Sequence, residues 1–289
     1  MLKTAIWWTT MACNFKCKYC WQEQHQQHGE MMPVAFLEGS RWVDAWNKLS
    51  PLVLDITGGE PFLLPGFVDV ISRFNHSMRL AITTNLSHDI DEFVDKVDPS
   101  RFVVVTCSYH PTEYVSSKRG SLNTELFIGR CLRLQNSGFK VNVNFVTWPD
   151  QMYLVPHVIE SFGSYGLSVH IDPYAPTKYH NFSYSPKQLE FLSKYVVGAR
   201  KDAISESLAV EHRDVLCSAG IENLSVWQDG SAWRCLRDMD LRINQLGNIF
   251  DDDFSLLTEM LVCHERHNCA GCDRDKVTIV ELTNANAAS

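Results

Sequence analysis

The sequence has no apolar run approaching the ~20 residues that a membrane-spanning helix requires, so no membrane association is expected. It also lacks a basic excess: 26 Lys and Arg stand against 34 Asp and Glu, a net charge of −8. That balance argues against a broad surface for nucleic-acid phosphates. A secretory signal is not expected either. The first apolar stretch runs only from Ala5 to Trp8, shorter than the roughly 7–15 residues of a signal core, and Thr9 and Thr10 interrupt it. There is no internal repeat and no low-complexity segment. A cytoplasmic location is therefore expected.

What the chain has in quantity is cysteine, ten in 289 residues. A disulfide framework belongs to small secreted domains, and this chain is large and carries no signal segment. In a reducing compartment, clustered cysteines more often hold metal. The length suits one large domain, or a barrel-sized domain with a small appendage.

Short apolar runs recur through the first two hundred residues: "TAIWWTT", "LVLDIT", "LAITT", "FVVVTCS", "VNVNFV" and "LSVHI". Residues 4 to 10 read as the first strand. Helix-like segments lie between the runs. From Pro33 to Leu49, Trp42, Ala45, Trp46 and Leu49 share one face. Ser185, Pro186 and Gln188 form a capping box with proline at the first helical position, and Leu189, Leu192, Val196 and Ala199 follow as a stripe. Six alternations of strand and helix predict βαβ units around a parallel sheet. In "VNVNFV", Val141, Val143 and Phe145 point one way, Asn142 and Asn144 the other. The asparagines fit either the polar inner side of a barrel or a solvent-facing edge. Past about residue 203 the alternation fades, a hairpin is expected around Asp229-Gly230, and five cysteines fall within 56 positions. Residues 203–289 are thus expected to form a module separate from residues 1–202.

"MACNFKCKYCW", residues 11 to 21, places Cys13, Cys17 and Cys20 directly after the first strand. They belong in a loop at that strand's C-terminal end, where barrel enzymes place their chemistry. Three thiolates complete neither a tetrahedral zinc site nor a four-iron cluster, each of which takes four. In a four-iron cluster one iron would be left open, and an open position is how a metal site meets its substrate.

Cys13, Cys17 and Cys20, with Tyr19 before the third, match the CX3CX2C signature of the radical S-adenosylmethionine superfamily. "ITGGEP" at residues 56 to 61 follows the second strand and is similar to that family's GGEP motif. The resemblance implies a partial (β/α)6 TIM-like barrel, an α/β fold. It implies a four-iron, four-sulfur cluster on the three cysteines, with the methionyl amino and carboxylate groups of S-adenosylmethionine on the open iron. The backbone at Gly58 and Gly59, with Glu60, would bind the amino group. Reductive cleavage would release a 5′-deoxyadenosyl radical that takes a hydrogen atom from substrate, so the cofactor supplies the hard chemistry. Tyr19 would contact adenine. Asn85 after strand three, Ser108 after strand four and Asn144 on strand five are candidates for the ribose, each with a local turn or barrel hydrogen bond as its alternative. A flavodoxin or ferredoxin-type electron donor is the implied partner.

"CSAGIENLSVWQDGSAWRC", from Cys217 to Cys235, has twelve residues before Gly230 and four after it. "CHERHNCAGC" adds Cys263, Cys269 and Cys272. The pattern resembles the auxiliary-cluster modules called SPASM and twitch domains, as does "LGNIF" at 246 to 250. Seven cysteines remain after the first three, and two fully ligated four-iron clusters would need eight. One auxiliary cluster on Cys217, Cys235, Cys269 and Cys272 is expected, giving the C-terminal part a hairpin-and-helix iron–sulfur fold. Zinc is the alternative occupant. Cys263 is then spare: a replacement ligand, an inert buried thiol or a hydrogen-atom donor.

A fully ligated cluster has no open iron, which suits electron transfer and a net oxidation or dehydrogenation; relatives with such modules also epimerise and cyclise. Because the first strand begins near residue 4, an N-terminal peptide-recognition domain is not expected. That favours a small polar metabolite or natural-product intermediate over a ribosomal peptide, unless a separate protein supplies recognition. Asp172 is the first catalytic candidate, with Cys263 beside it, and His110, Glu113 and Tyr174 are substrate-side candidates. Two other classes compete: a two-cluster electron carrier, which has no need of GGEP, and a zinc-binding interaction protein.

Overall fold

A computed structural model describes residues 2–29, 34–116, 123–174, 184–197, 215–263 and 277–281. Each of the six apolar runs forms a strand: β1 (Thr4–Trp8), β2 (Val53–Thr57), β3 (Arg79–Thr84), β4 (Phe102–Ser108), β5 (Val141–Thr147) and β6 (Val169–Pro173). They pair in sequence order and all in parallel. The helices between them are α1 (Trp21–Gln27), α2 (Gly39–Leu49), α3 (Phe67–Ser72), α4 (Asp91–Lys96), α5 (Pro111–Ser116), α6 (Thr124–Asn136) and α7 (Val155–Gly163). This is an α/β fold built on six parallel strands. Among the described residues, no helix is long and apolar enough to cross a membrane.

Strand alternation sets the layers. On β1, Trp7 points to the helices, where its ring lies 4.9 Å from Trp42, 6.1 Å from Trp46 and 5.8 Å from Phe74. Its neighbours Ile6 and Trp8 face the other way, into a second apolar cluster with Met11, Trp233 and Met239. Helix α2 buries Trp42, Ala45 and Trp46 of the expected face, adds Val43 and leaves Leu49 partly buried, and it begins at Gly39 rather than near Pro33. On β5, Val143 and Phe145 are buried and the two asparagines half-buried. This strand lies between β4 and β6, which overturns the reading of its asparagine face as a sheet edge.

Helix α8 (Pro186–Ser193) carries the expected capping box of Ser185 and Gln188. Leu192 and Val196 are buried, but the helix stops at Ser193 and Val196 packs from beyond it; Ala199 lies outside the described residues. The later strands are β7 (Val215–Cys217), β8 (Asn223–Val226), β9 (Ser231–Trp233), β10 (Gln245–Asn248), β11 (Leu261–Cys263) and β12 (Ile279–Glu281), with α9 (Leu236–Leu241) among them. β8 and β9 form the expected antiparallel hairpin. Gly230 at its turn has φ 87, and a Cβ there would lie 2.3 Å from Phe250. Only glycine fits both demands.

The hairpin does not stand apart from the barrel. β8 runs parallel to β1, pairing Thr4 with Asn223 and Trp7 with Val226. The sheet therefore reads β10-β9-β8-β1-β2-β3-β4-β5-β6, with a small second sheet β11-β7-β12 beside it. The C-terminal third thus reaches the first strand, and with it the loop that leaves that strand.

Candidate functional site

The loop leaving β1 is stitched to the loop leaving β2. Gly59 N donates to Thr10 O at 2.7 Å and Glu60 N to Ala12 O at 2.8 Å. A Cβ on Gly59 would fall 2.1 Å from Ala12 O, and one on Gly58 2.5 Å from Thr10 O. The two glycines are what allows these backbones to touch. From the opposite side, Met11 N donates to Gln228 Oε1 at 2.8 Å, and Ala35 N shares that acceptor at 3.1 Å. The three residues before Cys13 are thus held between the β2 loop and the turn after β8.

Gln228 carries no motif, and its role was not legible in the sequence. Gln228→Met keeps the volume and removes the acceptor, leaving a buried Met11 N–H unsatisfied. The variant is expected to lose about 1–3 kcal/mol and to load less iron, read by thermal unfolding and iron analysis. Full iron content at unchanged stability would remove Gln228 from this role.

Beyond the strut come the cysteines. Cys17 is buried, while Cys13 and Cys20 are partly exposed. Cys20 N donates to Cys17 O at 2.9 Å, so the loop closes tightly before α1. The charges of all three thiols act on one another. Burial pushes the Cys13 thiol up to about 11 and raises Cys17 and Cys20 as well, so metal binding there must displace protons. A shallow hollow of about 20 Å³, open to solvent, lies at Cys13 and Cys20 and is also lined by Met11, Phe15, Lys16, Gln22 and Glu23. Among the described residues, no group of three or more His, Cys, Asp or Glu side chains could hold a metal ion. A cluster makes a different demand, because each thiolate binds its own iron. Three thiols on one loop beside a hollow fit that demand.

Glu60 is fully buried. Its Oε1 accepts from Thr84 Oγ1 at 2.7 Å and Phe62 N at 3.2 Å, its Oε2 from Asn85 N at 2.7 Å. The carboxylate braces β2 to β3, with acceptor capacity left on Oε2. Asn85 Nδ2 reaches Cys13 Sγ at 3.8 Å and Asn14 Oδ1 at 3.0 Å, and Tyr114 OH donates to its carbonyl. Ser108 and Asn144 are register partners on β4 and β5.

Tyr19 turns toward β4, its OH 2.7 Å from His110 Nδ1. Trp148 follows, its ring 6.1 Å from Tyr19 and 4.7 Å from Tyr174, and Gln24 Nε2 donates to Tyr174 OH at 3.0 Å. These residues make one continuous wall. Sequence reasoning named Tyr19, His110 and Tyr174 as candidates but not Trp148 and Gln24. Trp148 directly follows β5, so strand-end position alone could have flagged it; Gln24 sits on a helix and carries no such signal. Glu113 faces the cysteine loop, accepting from Lys16 N at 3.2 Å. Asp172 lies at the end of β6, where its charge acts on Tyr184, whose OH donates to Tyr174 O at 2.9 Å.

Two groups here titrate abnormally, in opposite senses. Desolvation lowers the His110 imidazole from 6.5 to about 4, and burial raises Glu60 from 4.5 to about 7. His110's contribution to stability is intact above pH 6.5 and lost as the pH falls toward 4, since the unfolded chain takes up the proton first. Glu60's is intact below 4.5 and lost as the pH rises through 7. The two offset each other between pH 4.5 and 6.5. In metal-free protein, the stability difference between the parent and His110→Gln should move toward the variant by about 1–3 kcal/mol from pH 6.5 to 4, measured by urea unfolding. A pH-independent difference would contradict this.

Among the later cysteines, Cys217 on β7 and Cys263 on β11 are on paired strands, and Cys235 caps α9. Cys269 and Cys272 lie outside the described residues. Cys107 and Cys131 are fully buried against each other between β4 and α6.

The family model described as "Radical SAM superfamily" matches residues 9–171, more than half of the chain. Curated relatives include GTP 3′,8-cyclases. That of Pectobacterium atrosepticum is 35% identical over 117 residues, covering 34% of this chain and 35% of that enzyme. That of Hydrogenovibrio crunogenus is 31% identical over 119 residues, covering 38% and 36%. The chain spans only about a third of the length of these enzymes. Among solved structures, Streptococcus suis SuiB bound to S-adenosylmethionine aligns with TM-score 0.63 at 13% identity, over 88% of this chain and 64% of that one. The anSMEcpe structure with bound AdoMet gives 0.59 at 16%, over 87% and 76%. At such identities the likeness speaks for the fold. The family implies S-adenosylmethionine and a four-iron, four-sulfur cluster, and by the match across residues 9–171 this chain belongs to the radical SAM superfamily.

Proposed function

We propose that the chain binds a four-iron cluster through Cys13, Cys17 and Cys20 and acts on a small polar metabolite or natural-product intermediate, giving net oxidation, dehydrogenation or rearrangement. The cluster, once reduced, would cleave S-adenosylmethionine to a 5′-deoxyadenosyl radical that takes a hydrogen atom from substrate. The observation carrying this reading is the backbone ladder between the cysteine loop and Gly58–Glu60. It supports reading the three thiols and the glycine motif as parts of one site. Asn85 touches Cys13, and Ser108 at the end of β4 is in register with Asn144 in the middle of β5, a position suited to the nucleoside. The wall of Tyr19, His110, Trp148 and Tyr174 offers ring faces and a few polar atoms, which suits a small polar ligand. Asp172 is the candidate for work on the substrate.

The C-terminal part, residues 203–289, would hold a second four-iron cluster through Cys217, Cys235, Cys269 and Cys272, as a twitch module. A flavodoxin or ferredoxin-type protein would supply electrons. Peptide modification is the second reading, favoured by one observation: the fold matches those of SuiB solved with its precursor peptide SuiA and of anSMEcpe solved with peptides.

The test is anaerobic reconstitution, reduction, and mass spectrometry of 5′-deoxyadenosine. A brown protein that cleaves S-adenosylmethionine is expected, with deuterium passing from a labelled polar metabolite into 5′-deoxyadenosine. Transfer only from a labelled peptide would select the second reading. A colourless zinc protein without cleavage would refute both.

A further inference from the structure

The side of the sheet away from the helices carries polar groups that the roles above leave mostly unused, and their assignment rests on the enzyme reading just given. Strand register fixes which residues share that face. Thr83, Thr106 and Asn142 are successive partners across β3, β4 and β5. Two residues further along the strands, Ser108 pairs with Asn144, and Asn144 with His170 on β6. Side chains alternate along a strand. These six therefore point away from Ile82, Val105, Cys107, Val143 and Ile171, which pack into the main core at 2% exposure or less.

The inside of a closed α/β barrel is filled by layers of packed, mostly branched apolar side chains. Here the inward positions are polar, and Thr83, Thr106, Asn142, Asn144 and His170 stay half-buried. Among the described residues, none of these five side chains makes a hydrogen bond or ion pair. Hydroxyl, amide and imidazole groups each offer both donors and acceptors, so this face addresses water or a ligand. Adjacent strands lie about 4.8 Å apart, and successive inward residues about 7 Å. Such a lattice suits a compact molecule with several hydroxyl groups around its edge.

Charge narrows the ligand further. Asp55 shares a row with Ile6 and Ala81, and Asp172 lies beside Val146, so both carboxylates belong to this same face. Arg79 and Lys140 are exposed at the opposite, N-terminal ends of β3 and β5. Among the described residues, no Lys or Arg stands within the polar lattice to meet a phosphate or carboxylate.

We propose that Thr83, Thr106, Asn142 and His170 form a substrate floor adjoining the Ser108–Asn144 rung, and that this floor takes an uncharged, hydroxyl-rich part of a small substrate and rejects phosphorylated ones. Asn142, at the centre of the lattice, is its principal specificity residue. Removing a group that hydrogen-bonds a ligand hydroxyl leaves that hydroxyl unpaired, which costs more than the contact alone.

The experiment is equilibrium dialysis of full-length, anaerobically reconstituted protein in the presence of S-adenosylmethionine, against myo-inositol and separately against myo-inositol 1-phosphate. The two probes share a hydroxylated ring and differ in charge. The parent is expected to hold the neutral ring at least tenfold more tightly than its phosphate. Asn142→Leu and Thr106→Val each remove polar atoms at nearly constant shape, and each is expected to weaken myo-inositol about tenfold. Two variants on separate strands keep the test decisive should one fail to fold. Failure of the parent to retain S-adenosylmethionine would sink the enzyme reading, and the floor with it. With S-adenosylmethionine retained, three results would overturn the floor alone: neither probe held, the phosphate held as tightly as the ring, or folded variants at parental affinity.

Discussion

Cys17→Ala is expected to abolish S-adenosylmethionine cleavage and to remove about four iron per chain, the equivalent of one four-iron cluster. Cys17 is the strongest choice of the three because it is the buried one. Cys13 and Cys20 border the hollow, where water or a small thiol could replace a missing ligand. No such replacement reaches position 17 without rearranging the loop that Cys20 N closes onto Cys17 O. A matched control is Cys131→Ala, which removes an equally buried sulfur packed on Cys107. It is expected to cost about 1 kcal/mol of packing and no iron. Iron analysis, the visible spectrum and 5′-deoxyadenosine production distinguish the two variants. Full cleavage by Cys17→Ala would refute the assignment of the amino-terminal loop.

The strands were legible because each is a short apolar run with at least one face buried in the core, and such runs differ from the amphipathic stretches between them. The hairpin was legible because Asp229-Gly230 forces a turn. Elements set by distant partners were not. Nothing local in "NLSV" says that it will lie parallel to β1, more than two hundred residues earlier in the chain. The start of α2 was misplaced for a related reason. Ala35 N is committed to Gln228, so the chain there serves the cysteine loop before turning helical at Gly39. At the site, spacing found the three cysteines and the glycine motif. It did not reveal that Glu60 faces Thr84 and Asn85, since that requires the register of β2 on β3. Gln24, Trp148 and Gln228 are single residues of common type, recognisable only by their neighbours in space.

Gly59→Ala is expected to be nearly as damaging as loss of a cysteine, by a different route. The added Cβ would lie 2.1 Å from Ala12 O and 2.6 Å from Ala12 C. Both are backbone atoms, so no side chain can rotate out of the way. Relief requires the strand ends to part, which breaks Gly59 N to Thr10 O and Glu60 N to Ala12 O and shifts Cys13, one residue on. Overpacking costs about 1–3 kcal/mol, and two lost hydrogen bonds about 1 kcal/mol each, so a destabilisation of about 3–5 kcal/mol is expected. Gly58 adds a conformational demand, since its φ of 142 lies where a side chain is strained. Gly129 supplies the contrast. It sits exposed in α6, and a Cβ added there would meet nothing within 4 Å, so Gly129→Ala should raise stability by up to about 1 kcal/mol. Thermal unfolding, iron content and a binding isotherm for S-adenosylmethionine read all three effects. Near-parental stability with intact binding in Gly59→Ala would mean that the two loops are not held by backbone contact, and the ladder on which the site assignment rests would have to be abandoned.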